Sequence, residues 1–127
     1  MSADPEIERI MREKMQNMMR RQPKIWDLDD QAFDARVSRG LTLVDFWAEW
    51  CGPCRQMHPI FESLSKKYPA VQFARMDVDR NGIIPARYGV QSIPTLIMFR
   101  DGQPVDRLTG MVGAPGIHMV CKKHTQQ

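Results

Sequence analysis

Cys51 and Cys54, separated by Gly52 and Pro53, are the residues of this chain best suited to chemistry. Two thiols at this spacing either close a reversible disulfide or supply half of a metal site. The flanking chain decides between these. Before the pair runs Leu41-Thr42-Leu43-Val44-Asp45-Phe46-Trp47, nearly all apolar, as a buried central strand would be. After it, Met57, Ile60, Phe61 and Leu64 recur at helical spacing. Cys51 is therefore predicted at a helix N-terminus, where free N–H groups and the positive dipole end favour thiolate over thiol. Strand, C-x-x-C and helix, in that order, form the arrangement of a dithiol redox site.

Tetrahedral zinc needs four ligands, and neither Cys121 nor the histidines are spaced to complete such a site, so no metal is expected. His58 follows Cys54 by one helical turn and reads as a surface side chain. Cys121 falls at an apolar-facing helical position and is expected to pack as a small hydrophobe.

A chain of 127 residues has room for one domain and a short appendage. Residues 1–24 carry six Lys/Arg against four Asp/Glu, and the remainder carries twelve against eleven. The excess charge therefore sits at the N-terminus, and the net +3 is too small to argue for nucleic acid. No apolar run is long enough to span a membrane, and the first residues lack the apolar core of a secretory signal. A cytoplasmic monomer is expected, in a reducing compartment where C-x-x-C is catalytic and not structural.

The elements that must position the cysteines follow from periodicity and turn signals. Residues 4 to about 20 read as an amphipathic helix with Asp4 as cap, Pro5 at the first position, and Ile7, Ile10, Met11, Met15, Met18 and Met19 on one face. Residues 1–23 are thus taken as an appended helix and basic linker, and 24–127 as the domain. The helix is expected to pack on the domain or to dock a partner, with packing preferred.

From Ile25 onwards strands and helices alternate. A short strand at 25–28 precedes a helix capped by Asp29 or Asp30, with Ala32, Phe33 and Val37 inward. The strand at 41–46 leads into the post-cysteine helix, in which Pro59 predicts a kink. A strand at 71–78, a short helix at 83–86, and strands at 95–99 and 105–109 around Asp101-Gly102 come next. A last helix spans 117–123. The order β-α-β-α-β-α-β-β-α predicts an α/β fold, a mixed central sheet with helices on both faces.

With these elements in place, the chain from Lys24 onward resembles the thioredoxin family. The likeness rests on Val44-Asp45-Phe46-Trp47-Ala48-Glu49-Trp50-Cys51-Gly52-Pro53-Cys54, then Pro59, then Ile93-Pro94-Thr95, then Gly110. The resemblance implies the thioredoxin fold and a protein-disulfide reductase, an electron carrier with no bound cofactor, working through a reversible Cys51–Cys54 disulfide. Cys51 would be the nucleophile and Cys54 the resolving thiol. Asp45, set in an apolar strand, would take the Cys54 proton, with burial raising its pKa towards neutrality. The Gly-Pro pair between the cysteines implies a reductant instead of an oxidase or isomerase.

Trp50, Gly52, Pro53, Ile93, Pro94 and Gly110 would form the substrate groove, flanked by Ser92, Thr109 and Met111. Pro94 would follow a cis bond, so that the Ile93 backbone offers strand-like hydrogen bonds. Trp47, Pro59 and Arg75 would support the site. Arg75 stands where family members often carry Lys, and a guanidinium holds charge there without exchanging protons. The implied partners are disulfide-containing client proteins and a thioredoxin reductase. A binding module without redox turnover is the alternative from another class, and Cys51→Ser separates the two.

Overall fold

A computed structural model of the chain describes residues 4–20 and 25–126, and the side chains of residues 4–15 within the first helix. The apolar run after Gly40 forms β2 (Leu41–Trp47), the central strand of five. It comes after α1 (Pro5–Arg20), β1 (Trp26–Asp27) and α2 (Phe33–Val37), and precedes α3 (Gly52–Ser65), β3 (Val71–Asp77) and α4 (Ile83–Arg87). The chain ends with β4 (Thr95–Arg100), β5 (Gln103–Thr109) and α5 (Gly113–Thr125). Strand order is β1-β3-β2-β4-β5, with β1, β3 and β2 parallel and β4 and β5 antiparallel. This is the mixed sheet that the element order predicts.

Strand alternation divides the core into two layers. Leu43, Phe73, Leu96 and Met98 point to the face covered by Met57, Phe61 and Leu64 of α3 and by Ile117 and Val120 of α5. Val44, Phe46, Ala74, Met76, Ile97 and Phe99 point to the other face, with Phe33 and Val37 of α2 and Ile84 of α4. By the same period of two, Asp45 and Arg75 belong to the α3 side. They are partners in the β2–β3 register, so a carboxylate and a guanidinium lie side by side in the layer under α3.

Several expectations need correction. Asp29 alone serves α2, its carboxylate accepting the Ala32 N–H at 2.7 Å. Asp30 instead accepts the Ile83 and Ile84 N–H groups at 3.1 and 2.8 Å, closing the start of α4 from across the chain. The last helix starts four residues earlier than periodicity suggests, because Gly113, Pro115 and Gly116 mask its first turn. Gly116 is needed there, since a Cβ would come within 2.5 Å of the Val112 side chain. Pro59 lies inside helix α3, where the helical spacing after the cysteines places it.

In α1 the Asp4 carboxylate accepts the Glu6 N–H at 2.9 Å, as its capping role requires. The expected packing of this helix does not occur over the described side chains: Ile7, Ile10, Met11 and Met15 are all at least half exposed. Among the described residues, the two core layers of the sheet are built from α2 to α5 without α1. Met18, Met19 and the basic linker lie outside the described side chains and residues, as does the boundary between 23 and 24.

Candidate functional site

The register aligns Trp47 with Asp77, Phe46 with Thr95, and Thr95 with Thr109. One end of the sheet therefore gathers the segments leaving β2, β3 and β5 together with the segment entering β4. That end holds Trp50 to Cys54, Asp79, Ile93-Pro94 and Gly110, and it is the end where open α/β sheets place their ligands.

Cys51 is the N-cap of α3. Pro53 sits in the first turn, where a missing N–H costs nothing. The Cys54 N–H points at Cys51 Sγ at 3.2 Å, so this sulfur receives both a backbone hydrogen bond and the positive end of the helix dipole. Both favour thiolate once the disulfide is reduced. A disulfide joins Cys51 to Cys54. Cys51 keeps 5 % of its surface and Cys54 none, so the first sulfur is the one a client can reach.

Of the residues expected to form a groove, Ile93 lies against this sulfur and Gly110 is bonded to Pro94. The Ile93–Pro94 bond is cis. The Ile93 carbonyl oxygen lies 3.9 Å from Cys51 Sγ, which sets the backbone before β4 beside the sulfur. Gly110 donates its N–H to the Pro94 carbonyl at 2.9 Å and adopts φ +88°, a conformation that favours glycine. A Cβ there would meet nothing within 4 Å, so backbone conformation and not crowding calls for glycine. Trp50 is 70 % exposed, its indole N–H donating to Asp79 Oδ2 at 2.9 Å. Gly52, Pro53, Ser92, Thr109 and Met111 are exposed as well.

Beneath this surface lies the charged layer. Asp45 is wholly buried and accepts no hydrogen bond from the described residues. Burial pushes its carboxyl up to about 7, and the Arg75 guanidinium pulls back only part of that rise. Arg75 Nε is 4.0 Å from Asp45 Oδ2, and its Nη2 donates to the His58 carbonyl at 3.2 Å and faces Glu62 Oε1 at 3.4 Å. Trp47 is half-buried and sets its ring edge-on against His58, centroids 4.7 Å apart. Cys121 is buried in the α3–α5 layer, where desolvation pushes its thiol up to about 12 and keeps it neutral, as a packing cysteine should be. Among the described residues no group of His, Cys, Asp and Glu is arranged to hold a metal.

His58 is not the free surface side chain the sequence suggests. Its Nε2 is buried and lies 4.0 Å from Asp45 Oδ2, and its side chain is only 22 % exposed. Helical spacing relates it to Cys54 but carries no information about a strand residue thirteen positions earlier. Asp79 has no sequence signal at all; its role in holding Trp50 appears only in the folded chain.

The thioredoxin family model matches residues 24–123. Curated thioredoxins of Staphylococcus aureus are 45 % identical over 102 residues, 80 % of this chain and 95 % of theirs. Among solved structures, a single-residue mutant of the thioredoxin of Halobacterium salinarum NRC-1 superposes with TM-score 0.78 at 29 % identity, covering 84 % of this chain and 95 % of that one. Plasmodium falciparum thioredoxin superposes with TM-score 0.75 at 31 % identity, covering 79 % and 99 %.

Proposed function

Because this chain belongs to the thioredoxin family, we propose that its residues share out the steps by which a protein disulfide is reduced. The chain is a thiol-disulfide oxidoreductase with protein-disulfide reductase activity, and Cys51–Cys54 is its redox couple. Cys51 attacks one sulfur of a client disulfide as thiolate, and the client's other sulfur leaves as thiolate and takes a proton from water. Cys54 then gives its proton to Asp45, attacks Cys51 Sγ, and releases the second client thiol. The closed Cys51–Cys54 disulfide that remains is recharged with two electrons by a thioredoxin reductase. The dithiol carries the electrons itself, so the cycle uses no bound cofactor.

The Ile93 backbone offers the client strand-like hydrogen bonds, with Trp50, Gly52, Pro53, Pro94 and Gly110 shaping the groove. Trp47, Pro59 and Arg75 support it. Gly-Pro between the cysteines favours reductant over oxidase duty. On this proposal the protein works in the cytoplasm as a monomer, with residues 1–23 as an appendage to the 24–127 domain. The main support is one observation: Cys51 Sγ caps α3, accepts the Cys54 N–H at 3.2 Å, and is closed onto Cys54.

The test mixes the reduced protein with a small disulfide-bonded protein and counts thiols on both by mass-labelled alkylation. One client disulfide should open for each Cys51–Cys54 pair that closes. Clients left intact while the pair stays reduced would refute the proposal.

A further inference from the structure

Asp45 needs a route for its proton. Both its oxygens are buried without a hydrogen-bond partner among the described residues, and the side chain is wholly enclosed. An acid that takes a proton from Cys54 in one half-cycle must release it before the next. Among the described residues, two basic side chains come within 4.0 Å of its Oδ2, Arg75 through Nε and His58 through Nε2. Arg75 keeps its protons at any working pH and supplies charge only. An imidazole accepts a proton on one nitrogen and releases another from the second.

The placement of His58 suits this task. Nε2 is the buried end of the ring, 4.0 Å from the carboxylate, and has no hydrogen-bond partner among the described residues. The same residue lines a solvent-open hollow of about 330 Å³ with Trp47, Glu49 and Arg55. One side chain thus spans from the enclosed acid to water. Trp47 fixes the ring from its edge, and the His58 carbonyl holds Arg75 in place. A separation of 4.0 Å is about 1 Å beyond a hydrogen bond, a gap that a small ring rotation closes.

We propose that His58 is the positioning residue through which Asp45 exchanges its proton with solvent. This rests on Asp45 as the acceptor of the Cys54 proton. In the forward half-cycle the Cys54 thiol loses H⁺ to the Asp45 carboxylate. Asp45 then passes H⁺ to His58 Nε2 while Nδ1 releases H⁺ to water, and the carboxylate is restored. No electrons travel this way; they stay with the sulfurs. The charges facing His58 are Asp45 on β2, Arg75 on β3, Arg55 and Glu62 on α3, and Asp27 on β1. Burial and then Arg75 hold the imidazole below its ordinary 6.5, so it stands neutral near pH 7 and free to carry.

The experiment follows client thiol release by stopped flow over successive turnovers, a dithiol reductant recharging the pair, with wild type, His58→Ala, His58→Gln and Asp45→Asn, with and without added imidazole. His58→Ala should slow release about tenfold, below the 10²–10⁴ of a direct general base. Free imidazole should restore most of that rate. His58→Gln, which keeps volume but carries no proton, should stay slow.

A slow His58→Ala that imidazole does not rescue would reduce His58 to a packing role and overturn the proposal. So would a His58→Gln variant as fast as wild type. If both His58 variants run at full rate while Asp45→Asn is slow, the proposal alone fails and the role of Asp45 stands. If Asp45→Asn is also at full rate, the assignment of Asp45 fails, and the proposal with it.

Discussion

Cys51→Ser abolishes client reduction, lowering the rate by on the order of 10³-fold or more, while Cys54→Ser stalls with the client covalently attached. The two cysteines are one residue type with two exposures. Cys51 retains a little surface, and its Sγ caps α3 and lies beside the Ile93 carbonyl. Its thiolate is both stabilised and reachable, and a serine oxygen in the same place cannot exchange with a disulfide. Cys54 is fully enclosed and meets a client only after Cys51 has bonded to it. Removing it leaves the first attack intact and deletes the exit. Mass spectrometry of non-reduced mixtures should find a Cys54→Ser adduct through Cys51 and none for Cys51→Ser. Cys121 offers no substitute, being buried with its thiol pushed up to about 12. Residual reduction by Cys51→Ser, or a Cys54→Ser variant without adduct, would contradict these assignments.

Asp45→Asn stabilises the oxidised protein at alkaline pH and impairs its turnover. The carboxyl ordinarily titrates at 3.8 and is pushed up to about 7 in the fold. A raised carboxyl pKa means that the folded state holds its proton where the unfolded chain has lost it. Stability therefore falls as pH rises from about 4 to about 7, and the full penalty persists above that. The gap corresponds to about 4 kcal/mol. Asparagine keeps the shape and removes the charge, so its advantage should approach about 4 kcal/mol at pH 8 and vanish near pH 4. Urea unfolding at both values reads this directly. A pH-independent difference, or a wild type that gains stability from pH 5 to 8 relative to the variant, would mean Asp45 is not the strained buried acid described. A gain in stability at the expense of turnover is the usual mark of a charge kept for function.

What could be read in advance depends on which interactions are local. The apolar run at 41–46, the alternation at 71–78, the helical spacing after Cys54, and the Asp101-Gly102 turn each encode one element, and each of these elements is present in the fold. The linear motif around Cys51 and the Ile93-Pro94-Thr95 turn hold the residues of the proposed groove for the same reason. Contacts between distant elements were not legible. Asp30 precedes α2 in sequence but closes α4, more than fifty residues away, because that is where unpaired N–H groups meet it. His58 looked like a surface residue because nothing in its neighbours announces Asp45 or Arg75. The exposed face of α1 was equally illegible, since amphipathicity states that a helix has an apolar side and not what lies against it.

The decisive measurement is the midpoint potential of the Cys51–Cys54 couple, by equilibration in dithiol–disulfide buffers with quantitative alkylation. A protein whose helix-capped thiols serve as a reductant should lie near the thioredoxin value of about −270 mV. A potential of about −120 to −180 mV would place it among oxidases and isomerases, and would contradict the direction of electron flow assigned to this site.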